Sequence, residues 1–537
     1  MVAPLRPAPE AARDSAGGRG AGRTGGAAAS NAGGAAAAQR SRATLGTWLT
    51  PSAVAKAVGG ELLHRGRSAD GVTTDSRQDC KGQLFVALHG PNHDGHDHVA
   101  AAIAAGARGV LVDRDPAAVP GLDDKHSAFV VRVGCTAEAL LRLSGEHRRR
   151  HRARVVGITG SCGKTTTKEW LGSVLAQAMP TVRSPGSYNN RIGVPLTLFR
   201  LDPETRAAVV EIGTSSPGEI GTLTAVARPD VAIVTCVAAA HLQGLGSVEG
   251  VAREKSLLPQ GLGDDGLCIL NGDDVACRAM AEVTRARVQF VAIDKEADWF
   301  ATDVQFHAFG TSFLLQGSRP VTVPRLGTHN VYNALFVLAA ATELGVPEEQ
   351  ALQWLSEVPV AARRLEPKCA AGVTVFDDTY NMNPESARAG LQAIAGTPGA
   401  GRRLVVFGEM LELGERSVEL HHQLGTATWR AGIDRLVVVG AGARPIADGA
   451  RAAGMPRDHV DCVETVGEAQ SLLLDELRPG DRVLCKASRR VGLERLVDGL
   501  LQALGGQQPC TGMPAAVGLA TGAAAVGPDA VRDKGTR

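Results

Sequence analysis

Residues 155–167 read Val-Val-Gly-Ile-Thr-Gly-Ser-Cys-Gly-Lys-Thr-Thr-Thr. An apolar run with strand character passes through a glycine-rich loop into a stretch with helical character that continues to Met179. Strand, glycine loop and helix in that order make a phosphate-binding loop. The small residues let backbone N–H groups approach a phosphate, and the helix N-terminus adds a favourable dipole. Lys164 supplies a point charge, and the Thr165 hydroxyl suits Mg²⁺. Gly160, Ser161, Cys162, Gly163, Lys164, Thr165 and Thr166 are therefore the candidate nucleotide-binding set. The glycines fall at 157, 160 and 163, and Ile158 stands where the general GxxxxGK[ST] pattern needs glycine. This spacing points away from a generic ATPase or GTPase and towards a specialised loop.

The same alternation extends outward. Ala207–Gly213 (AAVVEIG) and Asp230–Val237 (DVAIVTCV) read as buried strands, and His329–Gly345 as a helix closed by Gly345. Beyond Ala361 come VTVFDD (373–378), RLVVFG (403–408), RLVVVG (435–440) and RVLCKA (482–487), separated by helical stretches. On the N-terminal side, Thr50 caps a helix that begins at Pro51 and stops at Gly59-Gly60. The runs LFVAL (84–88), GVLVD (109–113) and AFVVRV (128–133) follow. Apolar strands alternating with helices imply an α/β chain of mostly parallel sheets covered on both faces. Three domains are expected, at 44–152, 153–360 and 361–504. Residues 1–43 hold 15 Ala, 8 Gly and 6 Arg, and with the tail 505–537 they are too poor in large apolar side chains to fold alone. The charged run HRRRHRAR (147–154) reads as a solvated linker.

Composition sets further bounds. Lys plus Arg is 57 against 56 for Asp plus Glu, which opposes a mainly electrostatic nucleic-acid binder. No apolar run is long enough to insert in a membrane. The ten cysteines show no CxxC and no zinc spacing, so a reducing cytoplasm is expected. The scarce residues are informative: there are 10 Lys against 47 Arg, 9 Asn and 3 Tyr. Codon bias towards G and C explains the scarcity, and the few survivors are candidates for positions where no substitute serves.

The loop and several ordered segments together resemble the Mur ligase family, the amide-forming enzymes of peptidoglycan precursor synthesis. These segments are YNNRIGVP (188–195), EIG (211–213), HLQGLGS (241–247) with Lys255, HNVYN (329–333), RLE (364–366), DDTYNMNP (377–384), GEMLELG (408–414) and KASR (486–489). DDTYNMNP, YNNRIGVP and GEMLELG are similar to the branch that adds D-alanyl-D-alanine to UDP-N-acetylmuramoyl-tripeptide. A branch adding diaminopimelate or lysine, and a non-catalytic nucleotide-binding relative, are the alternatives. The chain departs from the family's usual residues at Arg191 and Glu409, where Asp is common, and at Ala487, where Gly is common.

The resemblance implies a three-domain fold with a central ATP-binding domain and a Rossmann-like C-terminal domain. It also implies ATP and Mg²⁺ as cofactors, an acyl-phosphate intermediate and a monomeric enzyme. It places Lys164, Glu211, His241 and Lys255 in catalysis, and Thr165, Glu211, His241 and a carbamylated Lys255 around metal. Asn330 is expected to read adenine, Arg364 to reach ATP phosphate and Asp378 to lie near the ribose. Ser76 and Arg77 are expected on the UDP side, with Asn189, Tyr380, Asn381 and Asn383 lining the remaining substrate pocket. His89, His93, His96 and His98 have no zinc-like spacing and read as a polar loop. Gly440-Ala-Gly442 lacks the rest of a dinucleotide fingerprint and reads as strand–helix packing.

Overall fold

The computed structural model describes residues 48–90, 92–122, 126–358, 362–508 and 510. The extension 1–43 and most of the tail lie outside the described residues.

Three sheets follow one another along the chain. The first contains β1 (Glu61–His64), β2 (Gly71–Thr73), β3 (Gln83–Val86), β4 (Gly109–Val112) and β5 (Phe129–Arg132), in the order β1-β5-β4-β3-β2. All its pairs are parallel except β1 with β5. Helix α1 (Pro51–Val58) begins as its sequence dictates: the Thr50 hydroxyl accepts from the Ala53 N–H, and Gly59 closes the helix at φ +67°.

The second sheet is the largest. Its parallel part holds β6 (Arg154–Thr159), β7 (Thr181–Arg183), β8 (Ala207–Glu211), β9 (Val231–Val234), β10 (Leu267–Asn271) and β11 (Arg287–Ile293). Along β9 the side chains alternate between two cores. Val231 and Ile233 join one, while Ala232 and Val234 join the other. The sheet is thus covered on both faces, which is why its strands read as unbroken apolar runs. On one face α2 (Lys164–Ala178) and α3 (Thr328–Glu343) bury Trp170, Leu171, Val174, Val331, Leu335 and Leu338 in a common core. Each such side chain contributes about 1.5–3 kcal/mol. β6 lies between β8 and β9. The chain turns one way after β6 to make β7 and β8, and the other way to make β9 and β10. The loop after β6 therefore opens at the switch point of the sheet, where the fold leaves a crevice.

Beyond β11 the sheet continues through β12 (Trp299–Phe306), β13 (Thr311–Leu315) and β14 (Arg319–Val323), and β12–β14 pair antiparallel. The strand–loop–helix reading did not contain this extension. Its strands alternate more buried with less buried positions, so they lack the fully buried run that marks the central parallel strands.

The third sheet has the order β15-β16-β20-β17-β18-β19, formed by β15 (Glu366–Ala370), β16 (Val373–Asp378), β17 (Arg403–Phe407), β18 (Arg435–Val439), β19 (Val460–Val463) and β20 (Arg482–Lys486). Only β15 runs antiparallel. Helix α4 (Pro384–Gly396) follows β16 and is capped by Asn383, whose side chain accepts from the Ser386 N–H.

Two expectations need correction. The run at 147–154 is not a solvated linker. His147 is buried, and the buried Arg148 guanidinium donates to the carbonyls of Ala227 (2.9 Å) and Arg228 (3.2 Å). Those carbonyls end the helix Glu219–Ala227, so the cation satisfies acceptors that the helix leaves open. The tail does not begin to leave the fold at 505. Gln508 bridges to Cys369, and Cys369 is disulfide-bonded to Cys510, so not every thiol is free.

Each departure from the family's usual residues has a local partner. Arg191 pairs with Glu138. A Cβ built on Gly442 would lie 2.4 Å from the Glu409 carboxyl carbon, so the glycine makes room for the longer acid. Ala487 keeps a negative φ and is fully buried. A Cβ on Gly408 would lie 2.8 Å from the Ala487 Cβ and 2.9 Å from Val491 Cγ1. Gly408→Ala is therefore expected to cost about 1–3 kcal/mol by overpacking. Urea denaturation should show that loss, and adding Ala487→Gly should recover part of it.

Candidate active site

The phosphate loop keeps its shape because glycine stands at two crowded positions. Gly160 has φ +145°, and a Cβ there would lie 1.8 Å from Thr235 Oγ1. Gly163 has φ +84°, and its Cβ would lie 2.7 Å from Asn333 Oδ1. Lys164 folds back so that Nζ donates to the Gly160 carbonyl at 2.5 Å. Ser161 Oγ accepts from the Ala238 N–H at 2.9 Å.

The loop forms one wall of a cavity of about 430 Å³. Most of the expected residues line it: Ser161, Cys162, Gly163, Lys164, Thr165, Thr166, Asn189, Glu211, His241, Asn330, Arg364, Asp378, Tyr380, Asn381 and Asn383. Gly160 shapes the loop from outside the lining. Lys255 is buried in the helix Val248–Gln260 and is likewise not part of the lining. Ser76 and Arg77 are not brought to the cavity. The Arg77 guanidinium is exposed and paired with Asp75 at 2.9 Å.

The opposite wall comes from the third sheet. Arg364 donates to Thr165 Oγ1 at 2.9 Å, and its guanidinium stacks 4.2 Å from the centre of the Tyr380 ring. Asn383 Nδ2 donates to the Ser161 carbonyl at 3.3 Å, while its Oδ1 also faces Cys162 Sγ at 3.3 Å. Asn383 therefore does two jobs, capping α4 and holding the phosphate loop. Asp378 ends β16 directly beside Lys486, which ends β20. That register sets their 2.7 Å ion pair, and Lys486 Nζ also donates to the Asn381 carbonyl at 3.0 Å. Burial raises the Asp378 carboxyl above its usual range.

Glu211 ends β8 and is almost fully buried. Its Oε1 accepts from Asn189 Nδ2 at 2.8 Å, whereas Oε2 has no hydrogen-bond partner. The fully buried Lys168 places Nζ 3.7 Å from Oε2 and 2.8 Å from Glu169. Sequence reading missed Lys168. It lies one helical turn beyond Lys164, and a lysine amid scarce lysines was the available signal.

His241 sits in the left-handed region at φ +55°. Its Nδ1 meets Glu412 Oε2 at 2.7 Å, and Glu412 is also left-handed at φ +64°. Two left-handed residues, one in the loop after β9 and one in the loop after β17, thus meet, each conformation costing of order 1–3 kcal/mol. Burial and the Lys164 charge lower the His241 pKa. Glu412 was another omission, since only tertiary contact relates it to His241.

The Asn330 amide is largely committed within the protein. It donates to the Leu326 carbonyl at 2.7 Å and accepts from Asn333 Nδ2 at 3.0 Å. Its neighbour His329 lines the same cavity with Nδ1 buried and unpartnered, and burial pushes its pKa down to about 4. A neutral imidazole there is available to a ligand. Desolvation, with the Lys164 charge added, brings the Lys255 amine down to about 7. No ion pair to Lys255 forms among the described residues.

In the polar loop, His96 is structural. Its Nδ1 meets Asp94 Oδ1 at 2.7 Å, and its Nε2 accepts from the Asp113 N–H at 3.2 Å. No helix among the described residues is long and apolar enough to cross a membrane.

Arg364 combines a planar stack with a hydrogen bond to the loop, which lysine cannot copy. Arg364→Lys is expected to weaken nucleoside triphosphate binding about tenfold, the scale of one charge-assisted hydrogen bond. Calorimetry reads this directly, and the fold should be unaffected.

Known proteins match this arrangement along most of the chain. Residues 68–144 match the Mur ligase family catalytic domain, 158–341 the Mur ligase middle domain and 363–489 the Mur ligase glutamate ligase domain. The UDP-N-acetylmuramoyl-tripeptide–D-alanyl-D-alanine ligase of Bacillus subtilis is 35% identical, with 80% of this chain and 93% of that protein covered. A crystal structure of MurF from Acinetobacter baumannii has a TM-score of 0.77 at 30% identity and covers 84% of this chain and 98% of its own. The MurF ligase of Thermotoga maritima, solved in complex with ADP, has a TM-score of 0.72 at 26% identity and covers 81% and 97%. With the phosphate loop, the two-walled cavity and all three domains matched in order, the chain belongs to the Mur ligase family.

Proposed function

We propose that this chain is an ATP-dependent amide ligase that adds D-alanyl-D-alanine to UDP-N-acetylmuramoyl-tripeptide in the cytoplasm. The observation that carries the reading is the two-walled cavity: the phosphate loop faces the DDTYNMN segment, with Arg364 bonded to Thr165. The similarity to ligases named for this reaction supports it.

Joining a carboxylate to an amine in water is uphill, so the carboxylate oxygen first attacks the γ-phosphorus of ATP. ADP leaves and an acyl phosphate forms. The dipeptide amine then attacks the acyl carbon, and phosphate leaves from the tetrahedral intermediate. Two anions must meet in the first step, and preorganised cations lower that barrier. Lys164 and Arg364 lie on opposite walls and serve this role. Asp378 is proposed near the ribose, and the base against Asn330 and His329. Tyr380, Asn381 and Asn189 are proposed to line the acceptor side, and Ser76 and Arg77 the UDP end. The contact between the walls excludes water from the acyl phosphate.

The residues fit a magnesium ion. Glu211 Oε2 is a buried carboxylate oxygen that accepts no hydrogen bond, with the Lys168 ammonium 3.7 Å away, and Thr165 offers a hydroxyl in the same cavity. No cluster of three His, Cys, Asp or Glu is arranged to hold a metal among the described residues. A shell completed by substrate phosphates and water suits Mg²⁺. Thr165, Glu211, His241 and a carbamylated Lys255 would hold the ion, which supplies charge neutralisation between carboxylate and γ-phosphate. Carbamylation requires a neutral amine, and burial brings the Lys255 amine down to about 7, so that a substantial neutral fraction is present near pH 7.

Three outcomes are expected. Phosphate release should need both UDP-N-acetylmuramoyl-tripeptide and D-alanyl-D-alanine; turnover indifferent to the dipeptide would refute the assignment. Lys255→Ala should lower turnover on the order of a hundredfold, as for loss of one preorganised electrostatic group, with partial rescue by short carboxylic acids. Carbamate on Lys255, read by ¹³C NMR with labelled CO₂, should increase with pH. With a pKa of about 7, the neutral fraction rises from about one-tenth at pH 6 to about nine-tenths at pH 8.

A further inference from the structure

Cys162 lies within the phosphate loop, and Cys236 follows β9, the strand beside β6. The two are joined at several atoms. The Ser161 N–H donates to the Cys236 carbonyl at 2.9 Å, and the Cys162 N–H donates to Cys236 Sγ at 3.3 Å. Cys236 Sγ also lies 3.8 Å from the Cys162 carbonyl, so its thiol rests against the backbone of Cys162 on both sides of the residue. Both side chains are partly exposed, and both line the cavity. On its other side Cys162 Sγ meets Asn383 Oδ1 at 3.3 Å.

We propose that Cys162 and Cys236 form a dithiol switch, which a hydroperoxide oxidises to a disulfide at the base of the phosphate loop and which a thiol reductant resets. Its effect on turnover rests on the reading of this cavity as the ATP site. The other free cysteines lack the arrangement. Cys80, Cys268, Cys277 and Cys485 are buried, with Cys268 pushed up to about 12 by desolvation. Cys135 and Cys462 are exposed and line no part of the cavity.

The chemistry follows from which sulfur loses its proton first. The adjacent Cys236 thiol, with the Lys164 and Lys486 charges adding to its effect, brings Cys162 down to about 7 against its burial. Cys236 is pushed up by the neighbouring Cys162 and by burial. The Cys162 thiolate attacks the terminal peroxide oxygen. The O–O bond breaks, an S–O bond forms, and the departing alkoxide takes a proton to become an alcohol. Cys236 sulfur then attacks Cys162 sulfur. The S–S bond forms, the S–O bond breaks, and the hydroxyl leaves as water with the Cys236 proton. Two thiols are oxidised and one hydroperoxide is reduced. The bond draws Cys162 sulfur away from Asn383 and fixes its N–H against Cys236. The loop can then neither reshape around a phosphate nor keep its contact with the opposite wall.

The test uses the full-length protein with tert-butyl hydroperoxide, with and without ATP. Free thiols are blocked with N-ethylmaleimide, and non-reduced peptides are mapped beside the rate of phosphate release. A Cys162–Cys236 cross-link is expected, with turnover lost in step. Dithiothreitol should restore both, and ATP should slow both. In Cys236→Ser, Cys162 should stop at the sulfenic acid and be captured by dimedone. The proposal is overturned if both thiols remain alkylatable after Cys135 and Cys462 have been oxidised, or if the cross-link forms without loss of turnover. A cross-link that abolishes turnover but forms as fast with ATP present would uphold the dithiol and count against the ATP reading.

Discussion

A phosphate chain can be gripped by backbone N–H groups only where no side chain stands in the way. That constraint organises this molecule. The loop after β6 cannot carry a Cβ at Gly160 or Gly163, because Thr235 and Asn333 already occupy the space. It must also open into a crevice, which the sheet supplies by reversing strand order around β6. The third sheet then presents Arg364 and Asn383 to Thr165 and Ser161, so the same loop becomes the floor shared by two domains.

Charge follows from that placement. Lys168, Lys255 and Lys486 are each buried to 2% exposure or less, in a chain with 57 Lys and Arg that otherwise uses arginine. A compact ammonium fits where a guanidinium would not, and it can lose its proton when desolvated. Lys168 lies beside two carboxylates, and Lys486 beside Asp378. Lys255 has no ion-pair partner among the described residues, and desolvation brings its amine down to about 7. Similar lysines in one region thus stand in different electrostatic surroundings because their neighbours differ.

Much of this was legible in the sequence. The phosphate loop, the long apolar strands and the capped helices appear where local pattern places them, since period and capping are local physics. All three tyrosines, 188, 332 and 380, fall in the ordered motifs, and they line or adjoin the cavity. The illegible parts depend on register and distant contact. Nothing local ties His241 to Glu412, 171 residues away. Arg148 looked like a linker cation until the end of a distant helix gave it carbonyls to serve. The antiparallel extension β12–β14 lacks the buried run that marks its neighbours. Asn383 was read as a substrate contact, and its side chain is engaged with a helix cap and the phosphate loop.

The central claim is that one nucleotide site is built jointly by the second and third domains. Amide hydrogen exchange with a non-hydrolysable ATP analogue tests it directly. Slowing should appear together in the loop 160–166 and in the segments 364–366 and 378–386, with the same dependence on analogue concentration. Protection confined to the loop, with the third-domain segments unchanged at saturation, would contradict it.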